Sequence, residues 1–282
     1  MKIKLMLFSV SLGLAATFSS CTNDNDVVAV KSETGVLNLD VVSSACFQAA
    51  ATRAVNETSY TNVDNYTVEI TDGAGAAKFS GTYSELKTLL PMSLKIGNYN
   101  IKAFYGTESV ASRSAFYVEG SSAFQIKSDD NTTVSVDCLP TCGKVSAAFT
   151  SEMDTYFTDY SIAFYGTSAL GATDANAVVW NKSDADPYYI KLNGTTGGET
   201  VQFKLNVTAK EGFVTGEETN RQQTGIVTGS FNLKRNEAHK LTIGPNLIEA
   251  NTGNLAITIT IDDTTNDIEK TITVPVTWID KQ

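Results

Sequence analysis

Four cysteines and one histidine bound the chemistry open to this chain. Cys138 and Cys142 flank Leu139-Pro140-Thr141, a turn-like linker. Such a linker brings two Cα atoms within bridging distance, so a Cys138–Cys142 disulfide is one expectation. Cys46 with Cys138 is the competing pair, and either choice leaves one thiol over once Cys21 is set aside. Structural zinc wants four ligands, and His239 is the only imidazole, so the spacing does not point to metal. His239 stands just before an alternating stretch and reads as a loop position rather than a general base. There is no Gly-x-Ser-x-Gly elbow, P-loop or dinucleotide fingerprint. The acidic turns Asp129-Asp130-Asn131 and Asp262-Asp263 with Asn266-Asp267 offer oxygens of the kind calcium takes. Neither has the spacing of a calcium loop, and solvated hairpin turns have the same composition. Trp180, Tyr188 and Tyr189 suit sugar stacking only if exposed, and core positions are the preferred reading. The expectation is no catalytic set, no metal and no cofactor.

Cys21 has a different context. Met1-Lys2-Ile3-Lys4 gives a positive start, Leu5 to Ala16 is apolar, and Ser19-Ser20 precede the cysteine. That is a secretory signal over residues 1–20, with an apolar stretch too short to span a bilayer. A cysteine directly after small residues resembles the bacterial lipobox, although Phe18 stands where Leu is usual. Acyl chains on Cys21 would anchor the chain to the outer membrane through a tether, residues 21–34. Asp24 and Asp26 resemble the acidic export tag of surface lipoproteins in Bacteroides-like bacteria, which implies a position facing the cell exterior.

The remainder must supply the body that this anchor carries. The whole chain has 282 residues, enough for two domains beyond the signal, and its net charge of −10 without basic runs argues against nucleic acid. Gly35 to Val41 alternates, with Leu37, Leu39 and Val41 on one face. Tyr66 to Ile70 alternates up to the turn signal Asp72-Gly73. Tyr83 to Leu90 reads as a short helix with Ser84 as a candidate cap. Leu94 to Ala103 is one strand kinked at Gly97, or two strands. Phe124 to Asp137 reads as a hairpin. The pattern then restarts at Gly143 to Phe149. The hairpin positions Phe124, Ile126, Lys127, Val134 and Val136 reappear as Phe231, Leu233, Lys234, Leu241 and Ile243. The offsets, 231 − 124 = 107 for the hairpins and 143 − 35 = 108 for the first strands, predict two copies of one β unit. The predicted fold is all-β: two tandem β-sandwich domains, transthyretin-like or Greek-key, over 35–142 and 143–282. The second carries an extra C-terminal hairpin, Leu255 to Ile261 with Ile268 to Trp278, whose return strand is an edge because Pro275 cannot donate.

Several stretches carry a family likeness: Gly35-Val36-Leu37-Asn38-Leu39, Asp64 to Ile70, Leu94 to Ala103 with Gly97-Asn98-Tyr99, Val136-Asp137-Cys138, and Phe157-Thr158-Asp159-Tyr160. On these the chain resembles a Bacteroidales lipoprotein family, domain-of-unknown-function family 4493, within a wider group of fimbrillin-like, two-domain surface proteins linked to cell adhesion. The resemblance implies an adhesive or fimbria-like role without catalysis, with other pilus subunits or surface ligands as partners. It also implies proteolytic processing beyond the first strand, for which Arg53-Ala54 stands in place, and a donor strand, for which Ile272, Val274, Val276 and Trp278 alternate near the C-terminus. Donor-strand binding works through main-chain bonds at a sheet edge. The alternative is a glycan-binding accessory surface lipoprotein.

Overall fold

The computed structural model describes residues 33–45, 47, 55–194, 197–210, 224–246, 256–263, 268–275 and 277–279. Cys21, Cys46, Arg53, Ala54 and Val276 lie outside the described residues, and the terminal strands beyond Asp262 are described by backbone alone.

The first half runs β1 (Thr34–Ser43), β2 (Thr67–Asp72), β3 (Ala77–Thr82), α1 (Tyr83–Lys87), β4 (Met92–Lys95), β5 (Gly97–Gly106), β6 (Ala111–Ser112), β7 (Tyr117–Ile126) and β8 (Asn131–Pro140). Strands β3-β2-β5-β7 form one antiparallel layer. The other layer is β8-β1-β4, in which β1 runs parallel to β8 and antiparallel to β4. The layers join where β7 meets β8, at Val118↔Pro140 and Glu119↔Leu139. The alternation seen in sequence is the inward face: Leu37, Leu39 and Val41 pack with Val68, Ile70, Ile101, Val118 and Val136 in one core. Gly97, at φ 153°, is the break in Leu94 to Ala103, and the two resulting strands lie in different layers. The short helix is capped by Thr82 rather than Ser84. Glu85 N donates to Thr82 Oγ1, and Thr82 N donates to Glu85 Oε2, a reciprocal capping box.

The second half runs β9 (Cys142–Phe149), α2 (Met153–Tyr156), β10 (Phe157–Tyr165), β11 (Val178–Asn181), β12 (Tyr188–Lys191), β13 (Glu199–Ala209), β14 (Thr224–Leu233), β15 (Ala238–Asn246), β16 (Ala256–Asp263), β17 (Ile268–Pro275) and β18 (Thr277–Ile279). Its order repeats the first strand for strand. β11-β10-β13-β14 matches β3-β2-β5-β7, and β15-β9-β12 matches β8-β1-β4, including the parallel pair β9–β15. The details recur as well. Asp129 and Asn236, 107 apart, are the two non-glycine residues with positive φ among the described residues, at 56° and 62°, and each turns a β-hairpin corner. Val36 N donates to Asp130 O and Lys144 N to Glu237 O, both at 2.8 Å. Gly35 and Gly143 are required for the same reason: a Cβ would lie 2.3 Å from Lys127 O at the first and 2.5 Å from the Leu233 side chain at the second. Val145, Ile162, Phe203, Leu205, Leu241 and Ile259 belong to a second core.

Three strands have no counterpart in the first half. β16 adds to β15 and β17 to β16, so β17 is an edge, as Pro275 requires. The return strand is not continuous to Trp278, however. It ends at Pro275, and Thr277–Ile279 pairs with β14 in the opposite layer. The segments ending at Pro275 and beginning at Thr277 therefore lie in opposite layers. His239 also differs from expectation. It sits within β15, 5% exposed, with its ring stacked on Phe231 at 5.2 Å, because the strand starts one residue before it.

Candidate strand-addition site

β1 is the element around which the candidate site is built. It lies inside its layer, with β8 on one flank from Val36↔Asn131 to Ser43↔Cys138 and β4 on the other from Thr34↔Lys95 to Leu37↔Met92. Leu37, Leu39 and Val41 are 0%, 7% and 3% exposed, and Ala45 and Phe47 continue the buried set beyond the strand. Tyr83 from α1 caps this face: its hydroxyl donates to Leu39 O at 3.2 Å. Ser43 Oγ donates to Tyr60 O at 2.8 Å, as does Tyr66 Oη at 2.7 Å, and the two hydroxyls lie 2.9 Å apart. Burial pushes the Tyr66 phenol up to about 12, so this hydroxyl stays a donor throughout the neutral range.

After β1 the chain crosses to the boundary between the halves. Phe47 packs edge-on against Phe116 at 5.3 Å and Tyr189 at 5.5 Å, while Tyr60 stacks on Phe116 at 3.7 Å. Glu57, in the 3₁₀ turn Glu57–Thr61, reaches into the second half. Its Oε1 accepts from Lys144 Nζ at 2.7 Å and from Tyr189 Oη at 2.5 Å. The Lys144 side chain is 3% exposed, so this ion pair is largely out of water. Val55 is 5% exposed. Arg53 and Ala54 therefore fall in a connection whose two flanks, Phe47 and Val55, are both fixed in the core.

The cysteines of the predicted bridge are both buried free thiols. The residues between them are strand on either side of Thr141 rather than a tight turn. Cys138 Sγ donates to Ala103 O at 3.6 Å. Burial pushes the Cys138 thiol up to about 12 and pushes Cys142 up as well, so neither is a ready nucleophile. Of the aromatics considered for sugar stacking, Trp180 is 1% and Tyr189 2% exposed, and both are core. Tyr188 is half-buried beneath the Arg113 guanidinium, 4.2 Å from its ring, and Arg113 is held by Asp184 at 2.7 Å. That guanidinium keeps the Asp184 carboxyl below the usual carboxylate range. No group of three metal-ligating side chains occurs among the described residues.

At the other end of the chain, β17 and β18 hold the predicted donor residues Ile272, Val274 and Trp278 at the outer edges of opposite layers. The sequence did not reveal β6. This two-residue strand leaves the first half and pairs with β12 of the second, at Tyr189↔Ser112 and Ile190↔Ala111. Two residues carry no periodicity, so no local pattern exposes it.

No curated protein matches the chain. Among solved structures it is similar to a fimbrial assembly protein from Parabacteroides distasonis, at 10% identity over 85% of this chain and 98% of that one, TM-score 0.39. It is also similar to the fimbrial anchor protein Mfa2 from Porphyromonas gingivalis, at 10% identity over 84% and 98%, TM-score 0.40. A Bacteroides thetaiotaomicron protein provisionally assigned to polysaccharide binding has 14% identity over 84% and 98%, TM-score 0.37. The model of the family described as "Domain of unknown function (DUF4493)" matches residues 33–276, nearly the whole span of both halves, and the chain belongs to that family.

Proposed function

We propose that the protein is a surface lipoprotein of adhesive or fimbria-like type that binds protein partners by β-strand addition and is not a catalyst. Lipid on Cys21 delivers it to the outer membrane, facing outward, and two tandem β-sandwich domains, 35–142 and 143–282, form its body. The observation that carries the reading is the placement of β1. It is an interior strand whose connection to the rest of the chain runs through Arg53-Ala54. Cleavage there would release β1 and the lipid together and open a slot flanked by unpaired edges of β8 and β4. Each vacated position of Leu37, Leu39 and Val41 is worth roughly 1.5–3 kcal/mol of apolar burial, so the slot favours a strand of matching alternation. Ile272, Val274, Val276 and Trp278 have that alternation in sequence, and a second molecule's terminal segment is the proposed donor.

The test is mass spectrometry of the mature protein from its native membrane, combined with two variants. The expected results are acylated Cys21 in the precursor, Ala54 as the N-terminus of the assembled form, and loss of assembly in Arg53→Ala and on deletion of residues 268–282. If Arg53→Ala leaves both the mature N-terminus and assembly unchanged, the processing step is wrong. If the deletion leaves assembly unchanged, the terminal segment is not the donor.

A further inference from the structure

The two halves differ at one corner of the fold, and the register shows which positions to compare. Phe124 and Ile126 recur as Phe231 and Leu233, and Ile126 pairs with Gly97 as Leu233 pairs with Glu199. Gly97 and Glu199 are therefore equivalent, at an offset of 199 − 97 = 102. The same offset carries Tyr99, Ile101 and Ala103 onto Val201, Phe203 and Leu205, all of them buried. In the second half the Glu199 side chain seals the corner between the β10–β11 and β12–β13 connections. Its Oε2 accepts from Ser168 N at 2.7 Å and from Ser168 Oγ at 2.8 Å, and its Oε1 accepts from Gly194 N at 2.8 Å. Burial works against its charge, yet the Gly194 and Ser168 donors hold the carboxyl below its ordinary range. Leu192, in the β12–β13 connection, is 0% exposed.

In the first half the same corner is open. Gly97 brings no side chain, and a Cβ there would meet nothing closer than the Tyr99 ring at 3.9 Å. The counterpart of Leu192 is Ile96, because Ile190 and Leu94 pair with Gly143 and Gly35, and Ile96 is 53% exposed. A cleft of about 510 Å³, lined by Gly97, lies between the β2–β3 turn and β4, a volume ordinary for a small-molecule site. Asp72 on its wall is fixed. Its Oδ1 accepts from Ala74 N at 3.0 Å and from Ala76 N at 2.9 Å, and its Oδ2 lies 2.7 Å from Lys78 Nζ. The Lys78 ammonium keeps this carboxyl below its ordinary range, so it is an acceptor at neutral pH. The Lys95 ammonium and the Asn98 carboxamide, also on the wall, are exposed, and neither has a partner among the described residues. The corner that holds a carboxylate in the second half thus holds an uncommitted cation in the first. We propose that this cleft binds a sugar bearing one carboxylate. The ligand's carboxylate takes the place that Glu199 fills in the second half and pairs with Lys95. Ring hydroxyls donate to Asp72 and accept from Asn98, and the apolar face of the ring lies on Ile96. A chain of several carboxylates is repelled by Asp72, whereas hydroxyls suit it. Neither Arg53 nor the terminal strands take part, so this site is separate from strand addition.

The test titrates the purified full-length chain, labelled with nitrogen-15, with a disaccharide of one glucuronic acid and one neutral hexose. Saturable shifts are expected in the amide signals of Lys95, Gly97 and Asn98. The methyl ester of the same disaccharide is expected to bind at least about tenfold more weakly, as is the acid itself to Lys95→Ala, the size of one charged hydrogen bond. Asn98→Ala is expected to weaken binding about threefold. Lys240→Ala, which removes an exposed lysine from β15, is expected to leave binding unchanged. Absence of saturable shifts around Gly97 overturns the proposal, as does an ester that binds as well as the acid. Equal weakening by Lys240→Ala and Lys95→Ala overturns it too, since that is general charge attraction. A tetraglutamate peptide that binds the same residues more tightly than the disaccharide makes this a site for acidic peptide and overturns the sugar assignment. Arg53 and residues 268–282 are unchanged in all these chains, so failure here is distinct from failure of strand addition.

Discussion

Replacing Glu57 by Ala and Lys144 by Met should destabilise the chain very unequally, and the inequality follows from where each charge sits. The Lys144 side chain is 3% exposed and that of Glu57 21%. Glu57→Ala leaves a buried ammonium without its carboxylate, which costs about 3–5 kcal/mol in general. Tyr189 Oη loses its acceptor as well, about 1 kcal/mol more. The Phe47 ring, 6.0 Å from Lys144 Nζ, offsets part of this, so about 3 kcal/mol is expected. Lys144→Met leaves a carboxylate that reaches water and keeps the Tyr189 hydroxyl, so about 1 kcal/mol is expected. The double variant Glu57→Gln with Lys144→Met should recover much of the loss, because an isosteric apolar replacement of a buried pair is often close to neutral. The assay is urea unfolding at neutral pH with a double-mutant cycle on the midpoints. Single variants that cost the same, each below about 0.5 kcal/mol, would refute the claim that this pair is desolvated and fixes the segment after Ala54 to the second half.

Other outcomes follow from the same geometry. Gly35→Ala should cost about 2–3 kcal/mol and Gly143→Ala about 1, read as thermal midpoints, because the first Cβ meets main chain and the second a side chain that can shift. Folded Cys138 and Cys142 should resist a thiol reagent at pH 8 and react on addition of urea, in contrast to an exposed thiol control. Stability should fall as pH rises above about 9. The native Cys138 thiol and Tyr66 phenol are both pushed up to about 12, so the unfolded chain loses protons first and is favoured through that window. A denaturation midpoint that is flat between pH 8 and 11 would contradict the burial of these groups. Arg113→Ala should lower the thermal midpoint and expose Tyr188, seen as increased quenching of fluorescence, since one guanidinium covers both Tyr188 and Trp180.

The strands that were legible in the sequence are those with one wet face. Leu37, Leu39 and Val41 alternate because β1 has a solvated side. The duplication was legible through its offsets because glycines and hairpin corners are fixed by backbone geometry rather than by packing. β3 was missed because Ala77 to Thr82 is an exposed edge with no buried face to pattern it. β11 and β12 were missed because four residues are too few for a period, and Trp180 could not be placed without them. His239 was misread because a polar residue at a strand start looks like loop until its stacking partner is known. The boundary chemistry of Glu57, Lys144 and Tyr189 joins residues 87 and 132 positions apart in the chain, a relation no local pattern encodes.

The parallel pairings of β1 with β8 and of β9 with β15 bear on the order in which the chain acquires structure. Val36 meets Asn131, 131 − 36 = 95 residues later, and Lys144 meets Ala238, 238 − 144 = 94 later. The strands between them find antiparallel neighbours at much shorter range, as β2 does with β3. Non-local closure is the slow part of assembly. A chain that emerges N-terminus first therefore exposes β1 earliest and seats it last, once β8 has arrived. Between the arrival of β8 and the seating of β1, the flanks of β8 and β4 that receive β1 are unpaired, so a competing strand of the right alternation would have to act within that interval.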